Sequence, residues 1–270
     1  MENAPTSARP STAPRGDPLA AFRLDGRLAV VTGASAGLGD HFARVLHAAG
    51  ATVVVAARRL ARVDALAADL GDRVVAVACD VTSDADLVRL AGTAAEVGGG
   101  AVDVLVNNAG IGAPQAAERE PIDEFRAVVD VNLNALFRLT QLVAVPMIEA
   151  GRGTVVNVAS MLGLVAAAPV KQASYCASKG AVVNLTRELG CQWARKGVRV
   201  NALAPGWFPS EMTAQMWDDE ASSRYVRDQC PMGRRGELAE LDGALLFLAS
   251  DASSYVTGQI LTVDGGWTAR

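Results

Sequence analysis

Seven short apolar runs recur along the chain, at residues 28–32, 52–56, 73–79, 103–107, 154–159, 198–203 and 259–263. Each is built mainly from Val, Ile, Leu and Ala with little polar alternation, the pattern of a strand covered on both faces. The stretches between them are rich in Ala and Leu and long enough for crossover helices, one of them over residues 122–150. The alternation predicts an α/β architecture, a doubly wound, seven-stranded parallel sheet with helices on both faces, forming a single domain over residues 22–270. In such sheets ligands bind beyond the carboxyl ends of the strands, so the residues just after each run are where chemistry is sought.

Composition narrows the classes. With 270 residues and 50% apolar content the chain can bury a large core. A formal net charge of −4 and the lack of a long basic run argue against nucleic acid as a partner. Cys79, Cys176, Cys191 and Cys230 are scattered without metal or redox spacing, which points to a reduced, cytoplasmic protein. His41 and His47, the only histidines, stand six apart and point to different sides of a helix, which disfavours a zinc site or a His-based triad. Residues 1–21 carry Pro5, Pro10, Pro14 and Pro18 among small and polar residues and read as a disordered leader, not a signal peptide. No later segment reaches the ~20 apolar residues that span a bilayer, so no membrane partner is expected.

Candidate chemistry sits at the strand ends. After the first run, residues 32–39 read Thr-Gly-Ala-Ser-Ala-Gly-Leu-Gly and lead into a helix. Glycine there lets backbone N–H groups and the helix N-terminus reach a pyrophosphate without a Cβ in the way. Gly33, Ser35, Ala36, Gly37, Leu38 and Gly39 are thus candidate dinucleotide contacts, with a plain tight turn as the alternative. The second run ends in Ala57 and Arg58, where an acidic residue would bond a ribose 2′-OH and an Arg accommodates a 2′-phosphate. This favours NADP(H) and leaves NAD(H) possible. Asp80 and Val81 follow the third run, where Asp80 is either an adenine contact or a helix cap. Asn108, Ala109 and Gly110 follow the fourth, small enough for close approach to a ribose, though such a sequence also makes a common turn. Asn132 is an amide among apolar neighbours, most simply a hydrogen-bonded core residue.

Ser160 precedes Tyr175-x-x-x-Lys179, whose i,i+4 spacing on a helix places phenol and ammonium about 5–6 Å apart at Cβ. A Tyr titrates near ~10, so a phenolate near neutrality needs about 3 units, or about 4 kcal/mol, of stabilisation. One cation about 4 Å away at an effective dielectric of about 20 supplies about 4 kcal/mol. On this estimate Lys179 alone nearly suffices.

The ordered set Thr32-Gly33-x-x-x-Gly37-x-Gly39, Asn107-Asn108-Ala109-Gly110, Asn132, Ser160, Tyr175-x-x-x-Lys179 and Pro205-Gly206 resembles the short-chain dehydrogenase/reductase family across residues 22–270. The resemblance implies a Rossmann-like fold and a hydride transfer between a nicotinamide cofactor and a carbonyl or secondary alcohol. It implies Tyr175 as acid/base, Lys179 as the residue that lowers its pKa and holds the nicotinamide ribose, and Ser160 as the hydroxyl that polarises the substrate carbonyl. Asn132 becomes the residue whose backbone holds a water relaying to Lys179. Pro205, Gly206, Phe208 and Ser210 match the segment that lines the nicotinamide, with Ser210 where the family usually has Thr. The fifteen residues from Ser160 to Tyr175 exceed the family's usual spacing, so residues 170–172 are expected to bulge toward the substrate. Residues 207–231 resemble a mobile lid whose apolar content suggests a partly hydrophobic ketone or alcohol. A sugar-acid dehydrogenase, a 3-oxoacyl reductase and, from another class, a catalytically silent NADP(H) sensor stay open. The family's habit implies a homotetramer or homodimer.

Overall fold

The computed structural model describes residues 17–112 and 114–269. Seven strands form one parallel sheet: β1 (Leu28–Thr32), β2 (Thr52–Ala57), β3 (Val74–Ala78), β4 (Val104–Asn107), β5 (Gly153–Val158), β6 (Val198–Pro205) and β7 (Ile260–Val263). Their order is β3-β2-β1-β4-β5-β6-β7. The chain therefore winds outward one way to β3, then returns to place β4 on the other side of β1, so the topological switch lies between β1 and β4.

Helices α1 (Gly37–Ala48), α2 (Leu60–Leu70), α3 (Asp84–Val97), α4 (Ile122–Val129), α5 (Ala135–Glu149), α6 (Ala173–Trp193), α7 (Ala214–Asp218), α8 (Glu220–Gln229) and α9 (Asp242–Ala249) complete the domain. Strand side chains alternate between faces, which splits the core in two. Ala29, Val31, Val53 and Val55 meet Phe42 and Leu46 of α1, Leu66 of α2 and Leu245 of α9. Leu28, Val30, Val54 and Leu105 meet Leu90 of α3, Leu139 and Met147 of α5 and Trp193 of α6. Each such aliphatic side chain contributes about 1.5–3 kcal/mol when fully buried.

Three expectations change. The two outer strands are not covered on both faces: β3 buries only Val77, and β7 is half-buried throughout, because each is a sheet edge. Most of the expected leader, residues 1–16, lies outside the described residues. Within its last part Pro18–Phe22 form a 3-10 turn capped by the Asp17 carboxylate, which accepts from the Leu19 N–H at 2.9 Å, so regular structure begins before residue 22. Finally, the helical run Ile122–Glu149 is long and apolar enough, by length and composition, to cross a membrane. Its Leu139, Val143, Ala144 and Met147 are buried against the sheet, so that apolarity goes into the core.

That run is interrupted by a π turn at Asp130–Asn134, which joins α4 to α5. A buried polar chain then ties helices to the sheet centre. Asn107 donates to Thr140 Oγ1 at 2.8 Å and to Asn157 Oδ1 at 3.0 Å, and Asn157 donates to Thr186 Oγ1 at 3.0 Å. Every member is paired, which such a network requires when buried.

Candidate active site

A cleft of about 610 Å³ opens at the carboxyl ends of the strands, centred on the switch point. The glycine loop after β1, the tips of β2 and β3, Asn108–Ile111 after β4, Ser160 after β5 and the segment after β6 all border it, with Tyr175 and Lys179 from α6. Every candidate cofactor residue lies on this cleft: Gly33, Ser35, Ala36, Gly37, Leu38, Gly39, Arg58, Asp80, Val81, Asn108, Ala109, Gly110, Tyr175, Lys179, Pro205, Gly206, Phe208 and Ser210. Asn132 does not; its neighbour Val131 does.

The glycine loop is closed by contacts only glycine tolerates. At Gly39 a Cβ would overlap the Gly33 carbonyl oxygen and come within 2.5 Å of Asn108 Nδ2; at Gly33 one would sit 2.9 Å from Ala109 Cα, with φ at +67°. Asn108 Nδ2 donates to the Thr32 carbonyl at 2.9 Å, and Thr32 Oγ1 accepts from the N–H groups of Asn108 and Ala109 at 3.0 and 3.1 Å. The loops after β1 and β4 are thereby fastened to each other. Ala36, at the N-cap of α1, offers no side-chain acceptor, so the first-turn N–H groups of that helix are left to an external anion. A tight cradle ending in an uncapped helix N-terminus fits the pyrophosphate of a dinucleotide. Asp80 is engaged by the backbone N–H and hydroxyl of Thr82, at 3.0 and 2.8 Å. Those bonds hold its carboxyl below the ordinary value, with Arg58 adding to the effect. Asp80 is not the helix cap: Ser83 caps α3, its hydroxyl accepting from the Asp86 N–H, while Asp80 closes a turn before the helix and lines the cleft.

At the other end, Ser160 Oγ accepts from the Leu162 N–H at 3.1 Å, which orients the hydroxyl and leaves its proton to donate. Burial dominates at the Tyr175 phenol and pushes its pKa up to about 12, while the nearby Ser160 hydroxyl acts in the opposite direction. Lys179, 4% exposed, donates to the Val158 carbonyl at 2.7 Å and lies 5.6 Å from the Tyr175 ring centroid. Burial pulls its pKa down to about 8. The expectation that Lys179 alone nearly suffices for a phenolate leaves out desolvation, which at this cleft wall penalises phenolate and ammonium alike. Asn132 is fully buried, accepting from the Ile111 N–H at 2.8 Å and donating to the Ile111 carbonyl at 2.9 Å and Ser178 Oγ at 3.0 Å. Its side chain clamps the loop after β4 to α6.

A family model described as enoyl-(acyl carrier protein) reductase matches residues 33–268. Galactitol 2-dehydrogenase (L-tagatose-forming) of Cereibacter sphaeroides is 44% identical over 248 residues, covering 92% of this chain and 97% of that one. Gluconate 5-dehydrogenase of Gluconobacter oxydans is 40% identical over 92% of this chain and 96% of its own. The chain belongs to the short-chain dehydrogenase/reductase family. A gluconate 5-dehydrogenase from Burkholderia cenocepacia, solved in complex with NADP and tartrate, superposes with a TM-score of 0.88 at 40% identity, over 93% of this chain and 99% of the other. The short-chain dehydrogenase/reductase is thus an NAD(P)-dependent oxidoreductase acting on CH–OH and C=O groups. The silent-sensor alternative finds no support among relatives named as dehydrogenases.

Two expectations about the substrate side of this short-chain dehydrogenase/reductase are revised. Residues 170–172 do not border the cleft: the Lys171 carbonyl accepts from the Gln115 N–H at 2.7 Å, Gln172 bridges Gln115, and Val170 packs against the cluster that holds Trp207 and Trp267. Most of the lid's apolar residues pack onto the body. Trp207 and Val226 are buried beside Trp267, and Phe208 joins the core near Leu241 and Leu245, whereas Met212 stays exposed and lines the cleft. Sequence reasoning missed Arg59, Glu211 and Thr213 on the cleft. Thr213 Oγ1 knots the segment, donating to the Phe208 carbonyl at 2.7 Å and accepting from the Ser210 N–H at 3.0 Å and Trp217 Nε1 at 3.1 Å. A lone Thr five residues after Phe208 has no local signature that announces this role.

Proposed function

We propose that this enzyme oxidises a secondary alcohol of a polyol or sugar acid, or reduces the matching ketone, with NADP(H). The observation that carries the reading is the convergence, in one cleft, of the glycine cradle and Arg58 at one end with Ser160, Tyr175 and Lys179 at the other. The substrate class is supported by the galactitol and gluconate dehydrogenases among the relatives. It is supported also by the lid, whose apolar residues mostly serve packing and so give little reason for a hydrophobic ligand. NADP is named with several solved neighbours, and Arg58 follows Ala57 with no acidic residue at that strand tip.

When bound, the nicotinamide supplies or accepts the hydride. Ser160, oriented by Leu162, donates to the substrate oxygen and positions it for Tyr175. The Tyr175 hydroxyl gives the proton to that oxygen in reduction and takes it in oxidation. Lys179 spends one proton on Val158 and has two others for the nicotinamide ribose. Phe208 backbone groups and the Ser210 hydroxyl, both on the cleft, would hold the carboxamide of a bound nicotinamide. The π turn containing Asn132 breaks the i→i+4 ladder, which frees a backbone carbonyl to hold the water that relays protons to Lys179.

The test is a screen of galactitol, gluconate and apolar secondary alcohols with NADP⁺ and NAD⁺ in parallel. Polyol or sugar-acid oxidation with NADP⁺ preferred is the expected result; preference for NAD⁺ overturns the role of Arg58, and activity confined to apolar alcohols overturns the substrate class. The reading includes a reducing, cytoplasmic setting, supported by four free cysteines. It includes assembly as a homodimer or homotetramer, supported by exposed Ile122, Phe137 and Val145 on α4 and α5 and by the half-buried edge strand β7. Light scattering that returns only the 27.9 kDa monomer mass sinks the assembly.

A further inference from the structure

At the adenosine end of the cleft, one carboxylate crosses from the lid to the nucleotide side. Arg59, at the start of α2, donates to Glu211 Oε1 at 3.0 Å and Oε2 at 2.8 Å, a fork against a carboxylate. Its Nε and Nη2 also reach Ser35 Oγ, at 3.1 and 2.8 Å. Arg62, one turn further along α2, donates to Glu211 Oε1 at 2.6 Å. Ser35 belongs to the glycine loop and Glu211 to the segment after β6, so three separate parts of the chain meet over the cleft mouth. The hydrogen bond from Arg59, followed by that from Arg62, pulls the Glu211 carboxyl down to about 2, so it is ionised at any working pH.

A phosphate dianion and a carboxylate seek the same donors, and an Arg fork serves either. We propose that Glu211 is a built-in occupant of the anion site formed by Arg59, Arg62 and Ser35, and that a 2′-phosphate displaces it. The displacement couples the phosphate to the lid. Glu211 lies between Ser210 and the Thr213 knot that holds Trp217, so freeing its carboxylate loosens residues 211–217. Glu211 is then a specificity-determining residue that lowers affinity for the phosphorylated cofactor and makes lid release depend on it. All three side chains are about half exposed, so each ion pair is modest and a dianion exchanges with them readily.

This inference rests on the NADP(H) reading, and the experiment separates the two. Wild type and Glu211→Gln are titrated calorimetrically with adenosine 2′,5′-bisphosphate and with 5′-AMP. The variant is expected to bind the bisphosphate about three- to tenfold tighter, the scale of two exposed ion pairs, with 5′-AMP changed by less than about twofold. Unchanged or weaker bisphosphate binding, or an equal gain for both ligands, overturns the role of Glu211. A wild type that does not prefer the bisphosphate over 5′-AMP counts against the NADP(H) reading, while the variant-to-wild-type ratio still decides the occupant. Hydrogen exchange on the wild type alone checks the coupling: the bisphosphate, and not 5′-AMP, is expected to speed exchange at residues 211–217. No change or protection there overturns it.

Discussion

Tyr175→Phe is expected to lower turnover by about a thousandfold, within the range that positioned acid/base groups contribute, while cofactor affinity changes by less than about threefold. The substitution removes one oxygen and keeps the ring. That ring lies against the backbone at Gly112, where a Cβ would come within 2.6 Å of it, so the fold retains its packing. What disappears is the hydroxyl that faces Ser160 in the cleft. A pH profile strengthens the assignment. Oxidation needs the phenolate, and the phenol is pushed up to about 12 by burial, so the oxidation rate should climb with pH through the neutral and alkaline range. Reduction needs the protonated form and should not gain. Turnover retained in the phenylalanine variant, or an oxidation rate that falls as pH rises, removes Tyr175 from the role proposed.

Lys179→Met is the second large effect, and it acts in opposite directions on activity and stability. Burial lowers the Lys179 pKa from 10.5 to about 8. For a base depressed in the folded state, the native chain binds fewer protons than the unfolded one between those values. The destabilisation is therefore complete below about pH 8 and is relieved as pH rises toward 10.5. A shift of that size corresponds to about 3 kcal/mol, and with Lys179 at 4% exposure solvent gives little discount. Losing the bond to the Val158 carbonyl offsets part of the gain. At pH 7 the methionine variant should be about 1–3 kcal/mol more stable, raising Tm by roughly 2–10 °C, while turnover falls at least about a hundredfold. Thermal melts between pH 7 and 10.5 check the sign: the Tm advantage must shrink across that interval. Tyr175, with its pKa raised, destabilises both proteins equally above pH 10, so the difference isolates Lys179. A variant less stable than wild type at pH 7 contradicts the account of a charge held at a cost for function.

The strands were legible because unbroken Val and Ala runs leave few alternatives, and each observed strand overlaps the run that announced it. The nucleotide loop was legible for a similar reason: its glycines, the strand before and the helix after are all local. Less visible was the division of labour between neighbours. Asn107 and Asn108 look alike in sequence, yet strand alternation turns one into the buried network with Thr140 and Asn157 and the other toward Thr32. Asn132 is nominated for its backbone, and nothing local in the sequence announces what its side chain does, which is to clamp the loop after β4 to α6 through Ile111 and Ser178.

By itself the sequence determined the parallel sheet, the cradle at Gly33–Gly39 and the Tyr175–Lys179 pair, since each depends on residues within a turn or two of one another or on an unmistakable apolar run. Tertiary structure alone decided the electrostatics. The phenol and the ammonium are drawn partly out of water at the cleft wall, and that desolvation reverses the sign a Coulomb estimate in solvent assigns to their pKa values. It alone also decided the Arg59–Glu211 bridge, whose partners are separated by 152 positions. Spacing carries information about neighbours along the chain; desolvation and long-range pairing exist only once the chain has closed on itself.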